Sequence, residues 1–489
     1  METALILGSI IVSTVISLIM QNMKITAITN IVVSVFNFFL SSLLIMKVSS
    51  TSFILYANNI FLIDAYSSVQ LFIISVVTMI SSIYSYKYIL NELDHNIISI
   101  RKAKMFYALF NLFVFSMYLL AFSNNVMMMW IALEATTLAT AFLIGFNGDE
   151  LAIEAAWKYI ILCSLGITIG LIGIILFIYS AGINVTLETL NWTYLSEHYS
   201  PFDIRIVKIA FALILVGIGT KAGLAPMHTW LSDGHSEAPS PISAMMSGIL
   251  LNLALYVVIR FYTIIKVVGE LSEFNRLFTI FGIISLVISS FSILKQNNYK
   301  RLLAFSSVEN IGIISLGIGF GGYFGVFGAI LHSIIHALGK TLLFLTAGNI
   351  LEKYKTKRID KVHYLIKSMP LNTFFLIVGM LVITGSPPFA SFFSEYFILI
   401  SGVKSGHYIS VFLYILCILL VFAGFLISFM KMIFSKPTEE YEANFTKLDN
   451  EKDNVLPLII AMIFIVFISA FFNTVMYNII DKSARIIGF

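Results

Sequence analysis

Apolar runs long enough to cross a bilayer follow one another along almost the whole chain. A membrane core needs about 20 apolar residues per helix. Fourteen stretches meet or approach that length: 4–20, 25–46, 66–89, 104–122, 124–146, 153–180, 204–230, 240–262, 274–294, 300–319, 323–350, 371–400, 407–433 and 455–480. The seventh and twelfth are interrupted by Gly and Pro, at 219–226 and 385–388. No Pro/Ser-rich linker or low-complexity run divides the chain. The pattern therefore predicts an all-α polytopic membrane protein with about 14 transmembrane helices, helices 7 and 12 broken, in a single membrane domain spanning 1–489.

The polar positions inside these spans repeat. Glu134, Lys158 and Lys221 are separated by 24 and 63 residues, and Glu309, His332 and Glu395 by 23 and 63. Each set ends at an interrupted helix. Broken helices in corresponding halves are the best sequence pointer to a transporter's ion pathway. Ionisable residues at membrane depth are costly, so they are functional candidates by default.

Composition agrees. Hydrophobic residues make up 59% and charged residues 11% of the chain, against about 25% charged in a soluble domain. The net charge of +4 resides in loops rather than in one patch, so no nucleic-acid partner is expected. Counting Lys and Arg in alternate loops gives eighteen on one side and nine on the other, with Lys158, Lys221 and Lys340 assigned to the membrane. That bias places both termini outside and the basic loop 353–367 in the cytoplasm. The first apolar stretch has no basic residue before it and no cleavage pattern after it, and reads as a retained helix. Cys163 and Cys417 lie in apolar runs, where they read as packing residues. Without CxxC or a Cys/His cluster, no metal site and no cofactor are expected in this chain.

Proton transfer through a bundle needs titratable groups bridged by water. A buried Glu–Lys pair of variable distance is a switchable donor and acceptor. Glu134, in WIALEATTLAT, and Lys221, in GTKAGLAPMHTW, suit that role. Glu395, in TGSPPFASFFSEYF, reads as occupying the place of Lys221 in the second half with opposite charge. His332, His336 and Lys340 recur at every fourth position, hence on one helix face. Two histidines so spaced suit a metal, but no carboxylate or Cys completes a site, and a proton wire is the stronger reading. Lys158 is near a helix start, where snorkelling is an equal alternative. Glu309 is expected to pair with a base such as Lys340. His228, Asp233, His235 and Glu237 are candidates for cytoplasmic proton access, or else residues of a solvated loop.

At these residues the chain resembles the antiporter-like subunits shared by respiratory complex I, Mrp-type cation/proton antiporters and membrane-bound group 4 hydrogenases. The resemblance rests on the E of WIALEATTLAT, on GTKAGLAPMHTWLSDGHSEAPSPISA, on KRLLAFSS and on HSIIHALGK. The wording EATTLATAFLIGF, EAAWKYIILCS and SSVENIGI is most similar to component F of hydrogenase-4 and formate hydrogenlyase complexes. The resemblance implies two inverted five-helix repeats, at 104–262 and 274–433, flanked by 1–103 and 455–489. It gives Glu134 and Lys221 the first half-channel, His332, His336 and Lys340 the central relay, and Glu395 the exit. Asn252 stands where many relatives carry Lys or His on the eighth helix. Asn does not titrate, so water must carry the link from Lys221 to His332.

The resulting expectation is a non-catalytic, proton-translocating subunit of a redox complex in a prokaryotic cell membrane. Its partners would be the lipid bilayer, other membrane subunits and a peripheral arm with nickel–iron and iron–sulfur subunits. The rivals are a subunit of an Mrp-type sodium/proton antiporter, a complex I-type membrane subunit, and a standalone solute transporter. A catalytic subunit is disfavoured by the missing cofactor ligands.

Overall fold

The computed structural model describes residues 1–197, 202–266, 271–436, 454–470 and 474–488. Helices α1 (Glu2–Ile19) and α2 (Met23–Ser50) open the chain, with Ile11, Val15, Phe36 and Phe39 exposed. An antiparallel hairpin follows, β1 (Phe53–Tyr56) and β2 (Phe61–Asp64). The all-α expectation missed it. FILY and FLID flank Ala57, Asn58 and Asn59, all at positive φ, which is hairpin chemistry. Strands of four residues are too short to show alternation within apolar sequence. Asp64 then starts α3 (Ala65–Asp94): its carboxylate accepts from Ser67 N while the Ser67 hydroxyl accepts from Asp64 N.

Helices α4 (Ile100–Phe122), α5 (Val126–Ile144) and α6 (Glu150–Ser180) begin at Ser99, Asn125 and Asp149, whose side chains each accept a first-turn N–H. The short α7 (Trp192–Glu197) precedes the broken seventh span, α8 (Ile204–Ala222) and α9 (Thr229–Glu237). Gly223, at φ 81°, ends α8, and Leu224 N donates back to Gly219 O at 3.0 Å. Groups freed by the break find side chains: Trp230 Nε1 donates to Thr220 O at 2.8 Å and Ala225 N to Ser285 Oγ at 2.9 Å. Such satisfaction within the protein is what lets a helix break at membrane depth. The predicted eighth span comprises α10 (Ser240–Met245), a π-helical turn at Met246–Leu250, and α11 (Leu251–Lys266).

The second half contains α12 (Leu271–Leu294), α13 (Tyr299–Phe320), α14 (Gly322–Tyr354) and the short α15 (Leu365–Ser368). The broken twelfth span is α16 (Pro370–Ile383) and α17 (Ala390–Lys404), separated at Gly385 with φ 63°. Helices α18 (Tyr408–Phe434), α19 (Leu456–Ala470) and α20 (Thr474–Ile487) follow.

Each of the fourteen predicted segments holds helix, but the pieces differ from fourteen unbroken spans. Among the described residues eleven helices are long and apolar enough to cross a membrane, or twelve when α19 and α20, bent by 74°, count as one. In the seventh span α8 carries Arg205, Lys208 and Lys221, and in the twelfth α16 has only 14 residues. The fourteenth is divided between α19 and α20, and α20 has Asp481, Lys482 and Arg485 among its apolar residues. Residues 471–473 of that predicted span lie outside the described residues. Helices α3, α11, α13 and α14 are almost wholly buried, whereas α1, α6, α12 and α18 expose apolar faces. The 33-residue α14 therefore runs through the interior, packed by α3, α13, α16 and α17.

Candidate functional site

Lys221 lies in the last turn of α8, where unpaired helix carbonyls favour a cation. It is fully buried. Its Nζ donates to Leu133 O at 2.7 Å and to Thr137 Oγ1. Thr137 Oγ1 donates in turn to Glu134 Oε2 at 3.2 Å, and Ser164 Oγ donates to Glu134 Oε1 at 2.9 Å. Glu134 and Lys221 are thus joined through a threonine rather than as a direct ion pair.

Lys340, also fully buried, is seated in the same manner. Its Nζ donates to Leu303 O at 2.6 Å and to Ser306 Oγ, a carbonyl and a hydroxyl one turn apart on α13. Glu309 and Lys340 do not meet as the expected direct ion pair; Glu309 Oε2 instead accepts from its neighbour, Asn310 Nδ2. A buried carboxylate and ammonium each found a closer dipole on α13. Asn310 Nδ2 also donates to Ser306 O at 2.7 Å, which turns Asn310 Oδ1 toward His332 Nε2 at 2.9 Å. The other ring nitrogen, His332 Nδ1, lies 2.9 Å from Ser394 Oγ. Ser394 can donate to Nδ1, giving a neutral ring, or to Ser391 O at 2.7 Å, leaving a charged ring to donate both ways. One hydroxyl rotation therefore accommodates both protonation states without moving a helix.

His336 is buried between these groups, and neither ring nitrogen has a protein partner. His235, on α9, is buried in the same condition, its ring stacked on Phe344 at 5.3 Å between centroids. Asn252 is buried and faces α14 rather than lipid, donating to Gly248 O at 2.8 Å and Ser333 O at 3.4 Å.

Lys158, for which snorkelling was an equal alternative to a place in the relay, lies toward the surface: its side chain is 46% exposed and pairs with Glu154 at 2.7 Å and Asp233 at 3.0 Å. It sits in the third turn of α6, close enough to the surface to reach water. Glu395 does not occupy the place of Lys221. Lys221 precedes its break at Gly223, whereas Glu395 follows its break at Gly385. Pro226 and Pro388 stand equally far after those glycines, and in that register Glu395 falls with Asp233. Equal intervals along the chain had concealed different loop lengths. The Glu395 carboxylate lies against the Cα of Gly385, in space a Cβ would fill.

At the end of the bundle near α9, Asp233 also pairs with Arg301 at 2.7 Å, Glu237 with Lys357, and Lys300 Nζ donates to Ala238 O at 2.8 Å. The basic loop is thereby tied to α9 through Lys357. His228 is buried beside Phe305, with ring centroids 6.1 Å apart. Thr137, Ser306, Asn310 and Ser394 were not anticipated. No group of three or more His, Cys, Asp or Glu side chains suited to a metal occurs among the described residues.

Comparison with known proteins adds to this geometry. The family described as NADH:quinone oxidoreductase/Mrp antiporter, transmembrane, matches residues 123–423. A hydrogenase-4 component F homolog of Methylacidiphilum infernorum is 35% identical over 71% of this chain and 73% of its own length. Hydrogenase-4 component B of Escherichia coli is 30% identical over 68% of this chain and 49% of its length. Among solved structures, a chain of the membrane-bound sulfane sulfur reductase, an archaeal respiratory membrane complex, superposes with a TM-score of 0.87 at 22% identity. That superposition covers 99% of this chain and 97% of the other.

Proposed function

Because the chain belongs to the NADH:quinone oxidoreductase/Mrp antiporter transmembrane family, we propose that it moves protons through the membrane as one subunit of a group 4 hydrogenase or formate hydrogenlyase type complex. The observation that carries this reading is the pair of buried lysines, each held by a backbone carbonyl and a hydroxyl, with the His332–Asn310–Glu309 network beside the second. A buried ammonium with so few partners is poised to give up its proton when a neighbouring charge moves.

In this reading Glu134, Thr137 and Lys221 form the first relay. His336, with Lys340 and His332, forms the central one. Glu395, beside the break in the twelfth span, releases the proton. Protons enter from the cytoplasmic side near His228, Asp233 and His235, where Lys158 and Arg301 hold Asp233. Buried polar groups are normally satisfied, so the unpartnered nitrogens of His235 and His336 call for water between α9 and α14. Asn252 carries the link between the two relays through water. Each broken pair counts as one crossing, giving fourteen, with repeats at 104–262 and 274–433 and both termini outside a prokaryotic inner membrane. Electron transfer, with its nickel–iron and iron–sulfur centres, belongs to partner subunits.

Purification from native membranes in mild detergent, with identification of what copurifies, tests the assignment. Nickel–iron and iron–sulfur subunits are expected. Recovery of antiporter subunits alone would replace the redox complex with a sodium/proton antiporter, and flux by the isolated chain would make it a standalone transporter.

A further inference from the structure

Asn252 has a fixed orientation. Its Nδ2 donates to two backbone carbonyls, Gly248 O and Ser333 O, so Oδ1 must point the other way. Oδ1 is buried and no protein group donates to it. Asn252 lines a cavity of about 10 Å³ together with Gln70, on α3, Tyr66, Ser333 and apolar side chains of α11, α13 and α14. Gln70 is 2% exposed, and its Oε1 is likewise buried without a protein donor. A cavity of roughly 10–15 Å³ accommodates one water, provided two or more polar groups surround it. A single water has two O–H groups, and two of the residues that line this cavity each carry a buried amide oxygen without a donor.

We infer that Gln70 and Asn252 together bind one water molecule, and that this water couples α3 to the relay on α14. Ser333, at the cavity wall, adjoins His332 in the chain, and the π-helical turn at Met246–Leu250 supplies the carbonyl that orients Asn252. An unsatisfied buried carbonyl is costly, and a bridging water is nearly as favourable as a direct hydrogen bond. Helix α3 lies outside both proposed repeats, so Gln70 would be its contribution to the pathway. Tyr66, on the same wall, stacks near Arg260, which is paired with Asp64. The polar groups thus continue from the cavity toward the hairpin.

The coupling rests on the proton-translocation reading; the water site does not. A cryo-EM map of the intact complex, at a resolution that shows ordered water, is expected to show density within hydrogen-bond distance of both Gln70 and Asn252. Gln70→Met, which keeps the side-chain length, is expected to remove that density and to lower proton uptake by membrane vesicles about tenfold. Asn252→Leu should do the same, and the double variant should be no worse than either single one. Wild-type density absent where other buried waters are resolved would overturn the site. Density present with normal uptake by Gln70→Met at normal assembly would overturn the coupling. Wild-type complex without proton uptake would instead reject the function, leaving the map to decide the water.

Discussion

A threonine hydroxyl stands between the two charges at the first helix break. Thr137 accepts from Lys221 and donates to Glu134, so its one oxygen orients both. Thr137→Val keeps the shape and removes both bonds. Proton uptake should fall about tenfold at unchanged assembly, and Thr137→Ser should restore most of it. Normal uptake by the valine variant would take Thr137 out of the path. Glu134, Lys221, His332 and Lys340 were legible in the sequence because charges and imidazoles are rare in apolar helices. Thr137, Ser306, Asn310 and Ser394 were not. Hydroxyls in such helices commonly bond back to the preceding turn, as Thr140 does to Thr136 O and Thr346 to Leu342 O. Only tertiary structure separates a hydroxyl that bridges two charges from one that does not.

At the scale of elements, the broken helices position the site. Gly and Pro marked both breaks in the sequence, and both occur where they were expected, with Gly223 and Gly385 at positive φ. Spacing alone misled about Glu395, because equal intervals ignore where each helix ends. The π-helical turn beside Asn252 left no periodic trace, since five residues in an apolar run show neither helical nor strand period. Gly385 serves two purposes: it adopts a backbone conformation unfavourable to other residues, and it leaves space for the Glu395 carboxylate. Gly385→Ala should displace Glu395 and lower proton uptake several-fold, with a smaller effect on assembly; alanine here costs about 1 kcal/mol in backbone strain. Uptake unchanged in assembled Gly385→Ala complex would show that the position of Glu395 does not matter.

Across the whole molecule, one buried ion pair ties the N-terminal helices to the first interrupted half. Arg260, on α11, reaches Asp64 at the head of α3 through two bonds, of 2.6 and 2.8 Å, and packs against the rings of Tyr66, Trp192 and Tyr256. Removing one partner strands the other charge, at a cost of about 3–5 kcal/mol. Arg260→Met should therefore lower the melting temperature of the detergent-solubilised complex. Adding Asp64→Asn, which can still cap α3, should recover much of the loss, and failure to recover would assign the effect to packing. The membrane class, the helical segments and the family were readable from apolar runs and motifs; this pair was not, because its members lie almost two hundred residues apart at the ends of separate spans. In the proposed function, protons cross through this subunit by way of Lys221. Proton uptake by vesicles containing wild-type or Lys221→Ala complex at equal assembly measures this passage. Uptake is expected to be lost in the variant; uptake at the wild-type rate would remove Lys221 from the path.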